Sequence, residues 1–286
     1  MSKRVLIGLS MGILVLSSIA AAQIRPDVIY GHKDGMALTY DVFLADEPNG
    51  AGVLFMVSGG WFSVWQPPEQ RLSMFQALLD EGFTVFAVQH GSAPRFKVPD
   101  AVSDVRAAVR HIKANASDYG VDPARLGVWG GSAGGHLSLM LGLNPEALPA
   151  SAGEGRASAL GPHYLNADGD ARLAAVVAYY PPADLEPLVG PSERFPALDF
   201  PASEAAAISP IRFISDDDPP TLLVHGDKDE LVPIRNSEVL SAALEEAGVP
   251  HDFVIIEGAP HGFRTPEQRA ESQAAMVGWF KEYLTE

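Results

Sequence analysis

The sequence predicts a single α/β domain: a mostly parallel sheet with helices on both faces. Three observations carry that expectation. From Val53 to the C-terminus, apolar runs of strand length alternate with segments of helical period, a pattern that requires right-handed crossovers between parallel strands. The runs Val53-Leu-Phe-Met-Val57 and Leu173-Ala-Ala-Val-Val-Ala-Tyr-Tyr180 are apolar throughout, as strands buried on both faces are. Gly-rich turns stand at the ends of several runs, where an open α/β sheet gathers its functional loops. The 286 residues, 47% of them hydrophobic and 20% charged, suffice for one large core. A formal net charge of −16 argues against nucleic acid and anionic membrane surfaces as partners.

Residues 1–22 read differently from the rest. Lys3 and Arg4 precede an apolar run from Val5 to Ile19, and Ala20-Ala21-Ala22 follows. This has the form of a signal peptide, with cleavage expected after Ala22, a secreted or periplasmic location, and no stable membrane insertion afterwards. Losing Lys3 and Arg4 takes the net charge to about −18. The chain has no cysteine, so the domain, residues 23–286, must hold itself together by its core.

Gln23 to Tyr30 reads as a short entry segment. Met36 to Leu44 alternates, with Leu38, Tyr40, Val42 and Leu44 on one face, and predicts a half-exposed strand. Val53–Val57 is a buried strand ending in Ser58-Gly59-Gly60-Trp61. Pro68 to Leu79 has helical spacing, Phe83 to Val88 is a strand, and Val98 opens a helix carrying Val102, Val105, Val109 and Ile112 on one face. The strand Leu126–Trp129 then enters a Gly-rich turn, and the helix after it is apolar nearly all round, the mark of a buried helix. Asn144 to Asp170 lacks periodicity. Its Asn166-Ala-Asp168-Gly-Asp170 lacks the spacing and distal Glu of a calcium loop, so no metal is expected there. Residues 181–219 are proline-rich and suit a cap-like insertion over the active edge of the sheet. Strands over 221–225 and 253–257 and helices over 235–247 and 266–284 complete the pattern.

The chemistry centres on Gly130-Gly131-Ser132-Ala133-Gly134, with G-x-S-x-G spacing between a strand and a helix. A serine on so tight a turn needs small flanking residues, and the helix start favours developing negative charge. After the strand 221–225 come Asp227 and Asp229, and after 253–257 comes His261. A histidine there can take the serine's proton, and an acid can hold its tautomer. Asp229 is the expected acid, with Asp227 as the competing candidate. His136, one turn beyond Ser132, reads as packing support, and His225, inside a strand, as a core hydrogen-bonder. Ser58–Trp61 follows the first central strand, where a loop of backbone donors for an oxyanion belongs. Ala133 and either Gly60 or Trp61 are the expected donors.

These residues resemble a known group. Gly130-Gly-Ser-Ala-Gly-Gly-His-Leu137, His225-Gly-Asp-Lys-Asp-Glu-Leu-Val-Pro233 and Pro260-His-Gly-Phe263 are similar to motifs of the α/β-hydrolase esterases of the hormone-sensitive-lipase-like and acetyl- or feruloyl-esterase-like kind. The resemblance runs from about Tyr40 to the C-terminus. It implies the α/β-hydrolase fold, with Ser132 as nucleophile, Asp229 as acid and His261 as base, and hydrolysis of small or carbohydrate-linked acyl esters without a cofactor. The departure lies in the oxyanion loop, which reads Ser58-Gly59-Gly60-Trp61 where the family pattern is H-G-G-G-W. Either Ser58 replaces the histidine and Trp61 the last glycine, or the loop is one glycine shorter. Prolyl-oligopeptidase-type peptidases share the Asp and His motifs but carry an N-terminal propeller with no counterpart here. The aromatic residues Trp61, Phe62 and Trp65 are expected to line one wall of the pocket, and Tyr180 with the insertion another. A non-catalytic binding protein on the same fold is the rival from another class.

Overall fold

The computed structural model describes residues 23–145, 162–165 and 169–285. The expected leader, residues 1–22, and most of the aperiodic segment, including Asn166 and Asp168, lie outside the described residues. Nine strands form one sheet among the described residues: β1 (Gln23–Lys33), β2 (Met36–Leu44), β3 (Gly52–Met56), β4 (Thr84–Val88), β5 (Leu126–Gly131), β6 (His163–Tyr164), β7 (Ala175–Tyr179), β8 (Thr221–Gly226) and β9 (His251–Ile256). Their spatial order is β6-β1-β2-β4-β3-β5-β7-β8-β9. β6, β1 and β2 are joined antiparallel, as are β2 and β4, whereas every pairing from β4 across to β9 is parallel. From β3 the chain moves first outward to β4, then back across to β5 on the other side. That reversal opens a crevice at the carboxyl ends of β3 and β5, the place where an open α/β sheet binds its ligands.

Helices α1 (Leu72–Asp80), α2 (Val98–Ala114), α3 (Ala133–Leu143), α4 (Arg235–Ala247) and α5 (Pro266–Leu284) cover the two faces. One core packs Val105, Val109 and Ile112 of α2, Leu137, Met140 and Leu141 of α3 and Leu240 and Leu244 of α4 against Leu54, Val128 and Val176. The other packs Phe75 and Leu78 of α1 and Met276, Phe280 and Leu284 of α5 against Val53, Val85, Val177 and Val224. Each such side chain contributes roughly 1.5–3 kcal/mol when fully buried. Every residue of α3 is buried, as its unbroken apolarity predicts, so the helix that begins at the serine turn is a fixed part of the core. No helix among the described residues is long and apolar enough to cross a membrane.

Two segments depart from their expectation. β2, expected half-exposed, is buried on both faces from Tyr40 to Phe43, because Phe43 packs into the second core and Asp41 accepts from Asp27 N and Gln89 Nε2. The entry segment is an eleven-residue strand, β1, that runs along β2. Its alternation is hidden because Pro26 sits inside it and the register shifts twice, between Arg25 and Val28 and between Ile29 and Gly31, and each shift exchanges the faces. The insertion, residues 181–219, has no α-helix and folds as short 3-10 turns. It is pinned to the body by Lys97 Nζ donating to Pro196 O at 2.8 Å and by His136 Nε2 donating to Ile208 O at 2.8 Å.

Candidate active site

β5 ends in a turn that only small residues can make. A Cβ on Gly130 would lie 2.5 Å from the Gly134 backbone, and one on Gly134 would lie 2.9 Å from Met56 O. Ser132 itself takes φ 55° and ψ −120°, a conformation that non-glycine residues rarely hold and that marks functional turns. The surroundings over-determine it: Ser132 N donates to Tyr179 O at 2.9 Å, and His136 N donates to Ser132 O at 2.9 Å.

The loops after β8 and β9 bring an acid and a base to this serine. His261 Nδ1 donates to Asp229 Oδ2 at 2.7 Å, and its Nε2 lies 3.0 Å from Ser132 Oγ. A proton on Nδ1 leaves Nε2 as the acceptor for the hydroxyl. Asp229 is buried, and its Oδ1 accepts from Leu231 N and Val232 N, both at 2.9 Å. Burial by itself would raise its pKa. The approach of His225, the His261 bond and the Val232 amide together outweigh that and hold the carboxyl well below its usual value. The carboxyl is therefore ionised at neutral pH.

Asp227 plays a different part from Asp229. Its Oδ1 accepts from Gly258 N at 2.6 Å and its Oδ2 pairs with Lys228 at 3.0 Å, so it ties the acid loop to the base loop. Gly226 brings the two loops together most closely, for a Cβ there would stand 2.1 Å from Ala259 O. His225 bonds within the core, with Nδ1 at 2.8 Å from Ser237 Oγ and Nε2 at 2.8 Å from Val232 O. Its Nε2 also comes within 3.4 Å of Asp229 Oδ2, which makes it a support for the acid.

Tyr180 packs its ring edge-on to the His261 imidazole, with centroids 4.7 Å apart, and meets Phe263 at 5.2 Å. Its φ of 38° is a further strained value beside the serine. Burial, with a contribution from Asp229, pushes its phenol up to about 12, so it remains a neutral donor.

The loop after β3 forms a two-residue reverse turn. Gly59 and Phe62 exchange backbone hydrogen bonds at 3.0 Å each way, and Gly60 and Trp61 both have positive φ, 57° and 60°. Among the described residues, no acceptor takes the amides of Gly60, Trp61 or Ala133. The Trp61 side chain differs from its expectation as a pocket wall. It is buried, donates Nε1 to His136 Nδ1 at 3.4 Å and crosses that imidazole edge to face. The physical reason is the left-handed backbone, which turns the indole into the core against α3. His136 can accept because burial lowers its pKa to about 4 and keeps it neutral. Phe62 is partly buried against the core. Trp65 is 56% exposed and turns to the β1 edge, where it donates Nε1 to Asp27 Oδ1 at 3.2 Å. Sequence reasoning passed over Phe195, whose ring edge lies 3.1 Å from where a Gly60 Cβ would be. It is one of three phenylalanines in the proline-rich insertion, with Phe200 and Phe213, and nothing in the sequence singles it out from them.

Comparison with known proteins bears on this arrangement. The BD-FAE family model matches residues 41–244, which take in the Ser58–Trp61 loop, Ser132 and Asp229. The chain belongs to the BD-FAE family. Esterase LipQ of Mycobacterium tuberculosis is 31% identical over 225 residues, covering 74% of this chain and 50% of its own length. The probable carboxylic ester hydrolase LipM of the same organism is 29% identical over 230 residues, covering 74% and 49%. The chain thus spans about half the length of the curated relatives it matches. Among solved structures, a truncated carbohydrate esterase from gut microbiota superposes with a TM-score of 0.74 at 27% identity, over 93% of this chain and 97% of that one. Thermogutta terrifontis esterase 2 phosphorylated by paraoxon superposes with a TM-score of 0.72 at 24% identity, over 94% and 97%, a likeness of fold. The α/β-hydrolase fold expected from the motifs is the fold this BD-FAE member has.

Proposed function

We propose that this BD-FAE member is a serine hydrolase of carboxylic esters, with Ser132 as nucleophile, His261 as general base and Asp229 as the acid that orients it. The observation that carries the reading is the unbroken chain from Ser132 Oγ through His261 to Asp229, at 3.0 and 2.7 Å. Ser132 Oγ attacks the ester carbonyl while His261 Nε2 takes its proton. The negative oxygen that forms is held by the amide of Ala133 and by that of Gly60 or Trp61, each such donor being worth about 3 kcal/mol of barrier. The intermediate collapses to an acyl-serine, and His261 returns the proton to the departing alcohol. Water, deprotonated by the same nitrogen, then releases the acid. All of this chemistry comes from side chains and amides, so the reading needs no cofactor.

For substrate, small acyl esters or acyl groups carried on saccharides fit best. The resemblance to a carbohydrate esterase along nearly its whole length supports this, as do the aromatic rings of Phe62, Tyr180 and Phe195 beside the serine and the loop. The leader-like form of residues 1–22 supports export, to the periplasm or outside the cell. A screen of nitrophenyl esters of increasing acyl length, acetylated and feruloylated saccharides and aminoacyl-arylamides tests the reading. Wild type is expected to hydrolyse the esters in preference to the amides, and Ser132→Ala to lose about 10⁶-fold in kcat. Equal rates for the two proteins would refute the assignment of Ser132. Amide turnover equal to or better than ester turnover would place the chain among peptidases.

A further inference from the structure

The turn at Gly60–Trp61 is stitched to the loop that follows β4. Val57 N donates to Val88 O at 3.0 Å, His90 N to Ser63 Oγ at 3.1 Å, Ser63 N to Ser92 Oγ at 3.0 Å and Ala93 N to Trp61 O at 3.1 Å. One contact in this seam joins two side chains. His90 Nδ1 lies 2.9 Å from Gly91 O, and its Nε2 lies 2.9 Å from Ser58 Oγ. A carbonyl only accepts, so the ring proton belongs on Nδ1, and Nε2 accepts from the Ser58 hydroxyl. His90 is buried, and desolvation lowers its pKa, so the neutral ring persists.

Ser58 is the pivot of the loop. Its carbonyl oxygen lies 3.4 Å from where a Cβ on Gly134 would be, so on one side it presses against the serine turn. On the other side its hydroxyl is held by His90. Behind His90, Gly91 N donates to Asp104 Oδ2 at 2.9 Å, and Asp104 is itself held by Lys33 Nζ at 3.1 Å and the Tyr164 hydroxyl at 2.7 Å. An imidazole rooted in the core thus fixes the residue two positions before Gly60.

We propose that His90 is a positioning residue for ester hydrolysis: through the Ser58 hydroxyl it sets the Gly60–Trp61 amides at the distance from Ala133 at which an oxyanion is bound. The inference rests on reading those amides as the oxyanion donors. It assigns a catalytic consequence to a pair of side chains that touch neither Ser132 nor His261. The effect belongs in the transition state, because the donors must meet the oxyanion and not the ground-state carbonyl. A displacement of about 1 Å in such a site can cost about 10²-fold.

The test compares Ser58→Ala, His90→Leu, the double variant and Ser58→Thr with wild type. It measures kcat and KM on a nitrophenyl acetate and the Ki of a boronic acid, a mimic of the tetrahedral intermediate. Each single variant is expected to lower kcat by about 10- to 100-fold with KM within about twofold, and to weaken boronate binding by a similar factor. The double variant should be no worse than the poorer single one, since both cut the same link. Ser58→Thr, which keeps the hydroxyl, should restore most of kcat. Should His90→Leu not fold, Ser58→Ala and Ser58→Thr carry the comparison by themselves. Wild-type kcat in Ser58→Ala, additive losses in the double variant, or a loss confined to KM would overturn the inference. Ser132→Ala separates the two readings: if it is inactive while Ser58→Ala keeps wild-type kcat, the esterase reading stands and this one falls.

Discussion

Replacing Asp229 by asparagine changes one atom and should disable the proton relay through the tautomer of His261. Oδ1 of Asp229 accepts two backbone amides, those of Leu231 and Val232 at 2.9 Å. An asparagine must place its carbonyl oxygen there, because its NH2 would otherwise face two donors, each lost bond costing about 1–3 kcal/mol. The NH2 then occupies the Oδ2 position, 2.7 Å from His261 Nδ1 and 3.4 Å from His225 Nε2. Facing a donor, Nδ1 must become the acceptor, and the ring proton moves to Nε2. That nitrogen can then no longer take the Ser132 proton. A fall in kcat of about 10⁴-fold is expected, equivalent to about 5.5 kcal/mol. The thermal midpoint should change little, because both backbone bonds survive. The assay is the steady-state rate on a short-chain nitrophenyl ester, with Asp227→Asn as comparison. Asp227 contacts Gly258 N and Lys228, so that variant should keep kcat within about threefold. An Asp229→Asn enzyme within tenfold of wild type, or an equal loss in Asp227→Asn, would refute the reasoning.

Three further outcomes concern the frame around the site. His136 is held at a pKa of about 4, below its ordinary 6.5, so the unfolded chain binds a proton that the folded one refuses between those values. The stability it confers is full above pH 6.5 and is lost as pH falls towards 4, about 3 kcal/mol in all. Denaturant titrations of wild type and His136→Gln at stepped pH should show a shallower slope in the variant by about one proton, and identical slopes would contradict it. Gly226→Ala must push its Cβ away from Ala259 O, 2.1 Å distant, and so part the acid loop from the base loop. It should lose at least about 1–3 kcal/mol of stability together with most of kcat. Gly278→Ala on the exposed face of α5, where a Cβ meets nothing within 4 Å, should gain about 0.5–1 kcal/mol and leave kcat alone. A stable, active Gly226→Ala protein would contradict the closeness of the two loops.

Where the sequence was readable, one physical rule governed each residue. Strands buried on both faces are continuously apolar, and β3, β5, β7 and β8 were visible for that reason. Loops at the carboxyl ends of such strands are where ligands meet an open sheet, and this rule drew Ser132, the pair Asp227 and Asp229, and His261 out from the other serines, acids and histidines. β1 was hidden because Pro26 and two register shifts erase a period-2 pattern. The role of the Trp61 indole was unreadable because it depends on a backbone sign: at φ 60° the ring goes into the core against His136. Phe195 and His90 reach the Gly60 turn from segments without periodicity, and only the packed chain brings them there. Asp227 and Asp229 stand two residues apart in one loop. Their difference is geometric, since one faces Gly258 N and the other faces His261 Nδ1.

The central claim is that Ser132 is the nucleophile, and covalent trapping addresses it most directly. The protein is incubated with a dialkyl phosphoryl inhibitor, digested, and mapped by mass spectrometry while residual esterase activity is followed. One adduct per chain, on the peptide bearing Ser132, should form in step with the loss of activity and be absent from Ser132→Ala. An adduct on Ser58 or another serine that tracks inactivation, or full activity in protein modified at Ser132, would contradict the account.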